Sequence, residues 1–183
     1  MTNLGQWVED LASPDAGLRA AAAAQLYRAG GDLTEEVFAE WRKVPEFNVL
    51  VSGKLIVGVA VPPDVFVRIR QELDMPPLAD VPPEQSTAEF EFHSGSVHLD
   101  ILTAVDGEGA IQKFLDRFGA GIQQVELPVT QVEEASRILF TRFGLTPIYP
   151  QPRPGADGTR VNFFLVGMPE GRKVLIELFE AKR

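Results

Sequence analysis

The sequence predicts an α+β protein in which an α-helical N-terminal extension precedes two βαβββ modules. Three observations predict it. Residues 1 to about 46 are rich in Ala and acidic residues and carry helix start and stop signals. From Lys54 onward, apolar runs of strand length alternate with amphipathic stretches of helix length. The order of strand, helix and further strands then comes twice, a repeat of architecture rather than of letters.

Ser13-Pro14-Asp15 predicts a helix start: a capping hydroxyl, a proline at the first helical position, then a carboxylate near the positive end of the dipole. The Ala20 to Ala24 run continues the helix, and Gly30-Gly31 are expected to stop it. Thr34-Glu35-Glu36 starts a second helix through Trp41, ended near Pro45. The segment LASPDAGLRAAAAAQLYRAG looks like half of a HEAT-type helical repeat. We read residues 1–48 as a helical extension packed on a main domain at 54–183.

In that domain LIVGVAV (55–61) predicts a buried strand, and Pro62-Pro63-Asp64 leads into an amphipathic helix, VFVRIRQEL (65–73). MPPLADV (75–81) is broken by prolines and reads as loop, with room at most for a short edge strand near Leu78. STAEFEF (86–92) and SVHLDIL (96–102) alternate apolar with polar and join at Ser94-Gly95 as a hairpin. GAIQKFLDRF (109–118) is a connecting helix. The second module has IQQVELPV (122–129) as a strand and QVEEASRILFTRF (131–143) as a helix, with Phe140 and Phe143 on its apolar side. TPIYP is a short strand, TRVNFFLV (159–166) another and KVLIELFE (173–180) the last. The modules span about 54–104 and 121–180, and side by side they make an open, cupped barrel from one chain.

With 183 residues and 45% apolar content, the chain can bury one good core. A net charge of −9 leaves no basic stripe to neutralise phosphates, so neither a nucleic acid nor an anionic membrane is an expected partner. The lack of cysteine removes disulfides, thiolate zinc sites and cysteine nucleophiles. MTNLGQWVEDLA has no signal-peptide pattern, and no apolar stretch reaches the roughly 18 residues of a membrane span. A cytoplasmic location is expected. Exposed sheet edges favour a homodimer.

Pro83-Glu84-Gln85, IQKFLDRFGAGI, GADGTRVNFF and VLIELFE occur in this order between residues 54 and 180. Together they resemble the methylmalonyl-CoA epimerases of the vicinal-oxygen-chelate (VOC, glyoxalase-like) superfamily. The resemblance implies the glyoxalase-like fold and a divalent metal (Co, Ni, Mn or Zn) held by side chains from four strands. That metal would stabilise the enolate formed when a proton leaves the carbon beside a thioester carbonyl. Two carboxylates would remove and return the proton.

Carried onto this sequence, the resemblance places Glu177 at the metal-binding glutamate and Glu84 at a catalytic glutamate. His98 falls where a Glu or Gln ligand is usual, and Gln124 replaces a histidine ligand. Ile56 stands at the first-strand histidine and binds no metal. The implied ligands are thus His98, Gln124 and Glu177, and the implied acid and base are Glu84 and Glu177. From the residues themselves, Glu177 lies in an apolar strand where a carboxylate needs a partner. Arg153 and Arg160 frame a Gly-containing loop suited to an anionic ligand, and Gln123 joins them as a substrate contact. His98 alternates with Asp100 on one strand face, and His93 reads as a hairpin-edge residue. The expected function is binding of a small acyl or carbonyl ligand, an acyl-CoA among them, in the cup, with an eroded metal site. One alternative is a metal-dependent epimerase, isomerase or lyase using Glu84 and Glu177. Another is an interaction scaffold working through the N-terminal helices.

Overall fold

The computed structural model describes residues 4–168 and 171–182. By its contacts the chain divides into two compact units, Met1–Gly30 with Val57–Gln123, and Gly31–Ile56 with Gln124–Arg183. The long helix α2 (Ala16–Arg42) and the strand β4 (Gly121–Pro128) each contribute to both units.

The N-terminal segment forms α1 (Leu4–Leu11), α2 and the short α3 (Pro45–Asn48). Helix α2 begins later than Ser13 predicts. Asp15 is its cap, its Oδ1 accepting from the backbone N–H groups of Gly17 at 2.8 Å and Leu18 at 3.1 Å. Gly30-Gly31 do not stop it. A Cβ on Gly30 would lie 2.4 Å from Val57 Cγ2, so the missing side chain lets helix and strand approach closely. Backbone hydrogen bonding therefore continues through the pair, and the expected second helix is the C-terminal part of the first.

In the first unit β1 (Ile56–Ala60) precedes α4 (Pro63–Glu72) and the hairpin of β2 (Thr87–Ser94) and β3 (Val97–Ala104). β3 pairs with β2 antiparallel, His93 opposite His98, and with β1 parallel, Gly58 beside Asp100. No strand forms near Leu78; Pro76, Pro77, Pro82 and Pro83 deny the segment a ladder of donors, although Ala79 N–H reaches Glu89 O at 3.0 Å. One sheet face buries Val57, Val59, Leu99, Ile101 and Phe90, the last edge-on to Phe66 of α4 at 5.1 Å. On the other, Ala60, Leu102 and Ala104 pack with Ile111, Phe114 and Leu115 of α5 (Gly109–Phe118).

In the second unit β4 pairs parallel with β7 (Lys173–Glu180), which pairs antiparallel with β6 (Arg160–Gly167). TPIYP is not a strand. Its prolines lack donors, and the edge strand β5 is only Arg153–Pro154. Helix α6 (Val132–Phe143) covers one face, burying Val132, Ala135, Ile138 and Leu139 with Val125, Leu127, Phe164, Ile176 and Leu178 of the strands. Phe143 meets Trp41, but Phe140 lies one step round the helix from that stripe and is 54% exposed. The Glu180 carboxylate accepts from Val132 N–H at 3.0 Å and caps α6 from the last strand.

Candidate functional site

The other face of the second unit's sheet carries polar side chains where an apolar strand offers no solvent. In the register of β4 and β7, Glu126 stands beside Glu177, and Gln124 precedes Glu126 by two residues on the same face. All three are buried, at 8% exposure for Gln124, 6% for Glu126 and 9% for Glu177. The Gln124 Nε2 donates to Glu126 Oε1 at 3.0 Å and to Glu177 Oε2 at 2.8 Å. With two carboxylate acceptors on the same side, the amide presents its NH2 and not its carbonyl.

Around this triad the face turns apolar. Phe163 is opposite Glu177 on β6, Leu175 beside Gln124 on β7, and both are half-buried; Leu165 is 53% exposed. Tyr149 meets Phe163 edge-on at 6.1 Å, and the Arg153 guanidinium stacks 4.3 Å from the Tyr149 ring centre. Pairing of Arg153 with Val161 and of Val161 with Phe179 puts Arg153 on the Glu177 face. Arg160 is on the opposite face, where it forms a bidentate ion pair with Glu133 of α6. Gln123, next to Gln124 in an extended strand, points away from that side chain, and its Oε1 is buried without a hydrogen-bond partner.

The first unit gathers a second group. Glu91 pairs with Asp100 and His93 with His98, so all four side chains share one hairpin face. The imidazoles meet edge to face at 4.7 Å, and His98 lies 6.2 Å from the Tyr27 ring. His93 Nε2 is 3.6 Å from Asp100 Oδ1, and its Nδ1 is 3.6 Å from Glu91 Oε2. Asp100 above all raises the His93 pKa, burial opposes it, and the Glu91 charge adds to the rise. At 3.6 Å the Asp100 contact is longer than a hydrogen bond and is an ion pair when the imidazole is protonated. Burial raises the pKa of Tyr27.

Of the residues singled out in the sequence, Gln124 and Glu177 are brought into direct contact, and Arg153 shares their face. His98 belongs to the first unit, as does Glu84, exposed on a single 3₁₀ turn at Pro83–Gln85. Ile56 opens β1, half-buried. Among the described residues no group of three or more His, Asp or Glu side chains is placed to hold a metal ion. In the carboxylate pair the Gln124 amide nitrogen is within hydrogen-bond distance of one oxygen on each carboxyl group. Sequence reasoning missed Glu126. Gln-Gln-Val-Glu reads as the solvent side of an alternating strand, and the register that sets Glu126 beside Glu177 is not carried by the local sequence.

The chain is similar to solved structures that fix the fold. One is methylmalonyl-CoA epimerase from Mycobacterium tuberculosis, at 29% identity and a TM-score of 0.59, covering 73% of this chain and 91% of that one. A hypothetical protein from Bacillus halodurans matches at 29% identity and 0.57, over 71% and 95%. Streptomyces coelicolor methylmalonyl-CoA epimerase, in complex with 2-nitronate-propionyl-CoA, matches at 23% and 0.54, over 70% and 96%. No family model and no curated protein matches. The fold is the α+β, glyoxalase-like one, and the likeness to methylmalonyl-CoA epimerases that the motifs carry holds in three dimensions. Among the described residues no helix is long and apolar enough to cross a membrane.

Proposed function

We propose that this chain is a glyoxalase-like binding protein whose second-unit sheet face takes a small acyl or carbonyl ligand, an acyl-CoA thioester being the first class to test. The observation that carries the reading is the buried Gln124–Glu126–Glu177 triad, set among the half-exposed Phe163 and Leu175. Buried polar side chains cost folding free energy unless they are satisfied, and an apolar border around them suits a ligand with one polar end. Arg153, steadied on Tyr149, supplies a cation for a carboxylate or phosphate on the ligand. The likeness to methylmalonyl-CoA epimerase from Mycobacterium tuberculosis supports testing the thioester class first.

The test is thermal unfolding and calorimetry with a series of acyl-CoA thioesters, coenzyme A alone and the free acids. A ligand at a hundred times its Kd stabilises the folded state by about 2.7 kcal/mol. We expect a concentration-dependent rise in Tm that depends on the acyl group and weakens in Arg153→Ala. No rise with any member of the series at millimolar concentration would sink the reading.

A second reading, proton transfer at the carbon beside the carbonyl, draws on the carboxylate pair. It assigns Glu177 as one acid–base group and Glu126, beside it in the register, as the other. Its check is solvent deuterium incorporation at C2 of methylmalonyl-CoA, lost in Glu177→Gln.

A further inference from the structure

Two buried carboxyl groups standing side by side are costly unless a cation, a donor or a shared proton offsets their repulsion. The resemblance implies that a divalent metal does so. In this chain an amide donates to both groups. Gln124 contributes one nitrogen with two protons, and that nitrogen is within hydrogen-bond distance of an oxygen on each carboxyl group. Glu126 is its neighbour on β4, and Glu177 reaches it from β7, 53 residues away in sequence.

We infer that the Gln124 amide takes the place of the metal, so that the Glu126–Glu177 pair is held by a hydrogen-bonded bridge and the site excludes divalent cations. An ion bridging the same two oxygens would sit about 2.0–2.2 Å from each. Nε2 occupies the space between them at 3.0 and 2.8 Å, too close to leave room for both. The amide would have to swing out, and its carbonyl would have to turn toward a position now served by its NH2. Burial of all three side chains opposes that swing, because packed rotamers leave little room for it. The positions the resemblance assigns to histidine ligands are Ile56 and Gln124, neither of which carries an imidazole. Gln124 is thus a positioning residue: it sets the spacing and orientation of the two carboxyl groups on the face where the ligand is placed. The inference rests on the reading above only for the location of the ligand. Its test reads metal and not ligand, so the two fail separately.

The experiment is elemental mass spectrometry and thermal unfolding of the full chain, purified without chelator and then incubated with Co²⁺, Ni²⁺, Mn²⁺ or Zn²⁺. Wild type is expected to retain no stoichiometric metal and to keep its Tm with every ion. Gln124→Glu removes the donor and adds a third carboxylate, and Gln124→His supplies an imidazole. At least one of these variants, folded by circular dichroism, is expected to take up metal and to gain Tm from it. Near-stoichiometric metal in wild type, lost in Glu177→Gln, would overturn the inference. So would failure of both variants, folded, to bind any ion, because the amide would then not be what keeps metal out. If neither variant folds, the wild-type measurement decides alone.

Discussion

At the scale of single residues, the Gln124 bridge makes a direct prediction about stability. Gln124→Leu keeps the volume roughly constant but takes both hydrogen bonds from Glu126 and Glu177. Taking a donor away from buried acceptors costs about 1–3 kcal/mol. Urea unfolding at neutral pH is expected to show a loss of that order, with part of it restored in Gln124→Leu combined with Glu126→Leu. A single variant as stable as wild type would mean that the amide does not hold the pair. His93 makes a prediction about pH. It faces Asp100 and Glu91, with the ring of His98 against it and Tyr27 of α2 beyond His98. Its pKa is raised above the ordinary histidine value of about 6.5, chiefly by Asp100. The folded state therefore binds the His93 proton more tightly than the unfolded chain. That stabilisation is fully present below about pH 6.5 and is lost as pH rises through the folded value. The stability difference between wild type and His93→Gln is expected to shrink across that window. The chain has only two histidines, so the two imidazole resonances can be followed separately by NMR. A difference that is flat with pH would remove the Asp100 pair from the account.

At the scale of elements, α2 shows what a sequence pattern hides. Gly30-Gly31 is a stop signal by local rules, yet the helix runs through both residues. The reason is tertiary, since Val57 sits where a Gly30 side chain would be. Gly31 has only Leu55 Cδ2 near its would-be Cβ, at 4.0 Å. The neighbouring glycines thus make opposite predictions. Gly31→Ala should stabilise by about 0.5–1 kcal/mol through helix propensity. Gly30→Ala should destabilise by about 1–3 kcal/mol, as overpacking against Val57 exceeds that gain. If both gave the same sign in thermal unfolding, close helix–strand approach would not explain Gly30. The hairpin, α4, α5, α6 and the two long C-terminal strands were legible because their periods and their bounding Gly and Pro residues agree. β5 was misplaced among Pro147, Pro150 and Pro152, where no local signal tells which dipeptide pairs with β6. Glu177 was legible as a carboxylate within an apolar run. Glu126 was not, because Gln-Gln-Val-Glu reads as the wet side of an alternating strand until register puts it beside Glu177. Arg153 and Arg160 looked equivalent in sequence; pairing with Val161 and Glu180 separates them onto opposite faces.

At the scale of the whole molecule, the N-terminal helices contribute buried side chains to both units. α2 buries Ala22, Ala23 and Leu26 and sets Gly30 against Val57 in the first unit. In the second it buries Phe38 and Trp41, with Trp41 packed on Phe38, on Phe47 of α3 and on Phe143 of α6. Fully burying one such aromatic or Leu side chain contributes about 1.5–3 kcal/mol, and a domain's net stability is only about 5–15 kcal/mol. Removing residues 1–48 takes Leu26, Phe38, Trp41 and Phe47 together, and uncovers the side chains they pack on. A chain starting at Val49 is therefore expected to lose cooperative unfolding and near-ultraviolet circular dichroism, while the full-length protein keeps both. This outcome bears on the scaffold alternative as well. If the helices were an appendage that recruits a partner, the shortened chain would fold, keep its Tm within a few degrees and retain ligand binding. A folded, cooperative chain from Val49 to Arg183 would show that α2 and α3 contribute little to either core, whatever their burial.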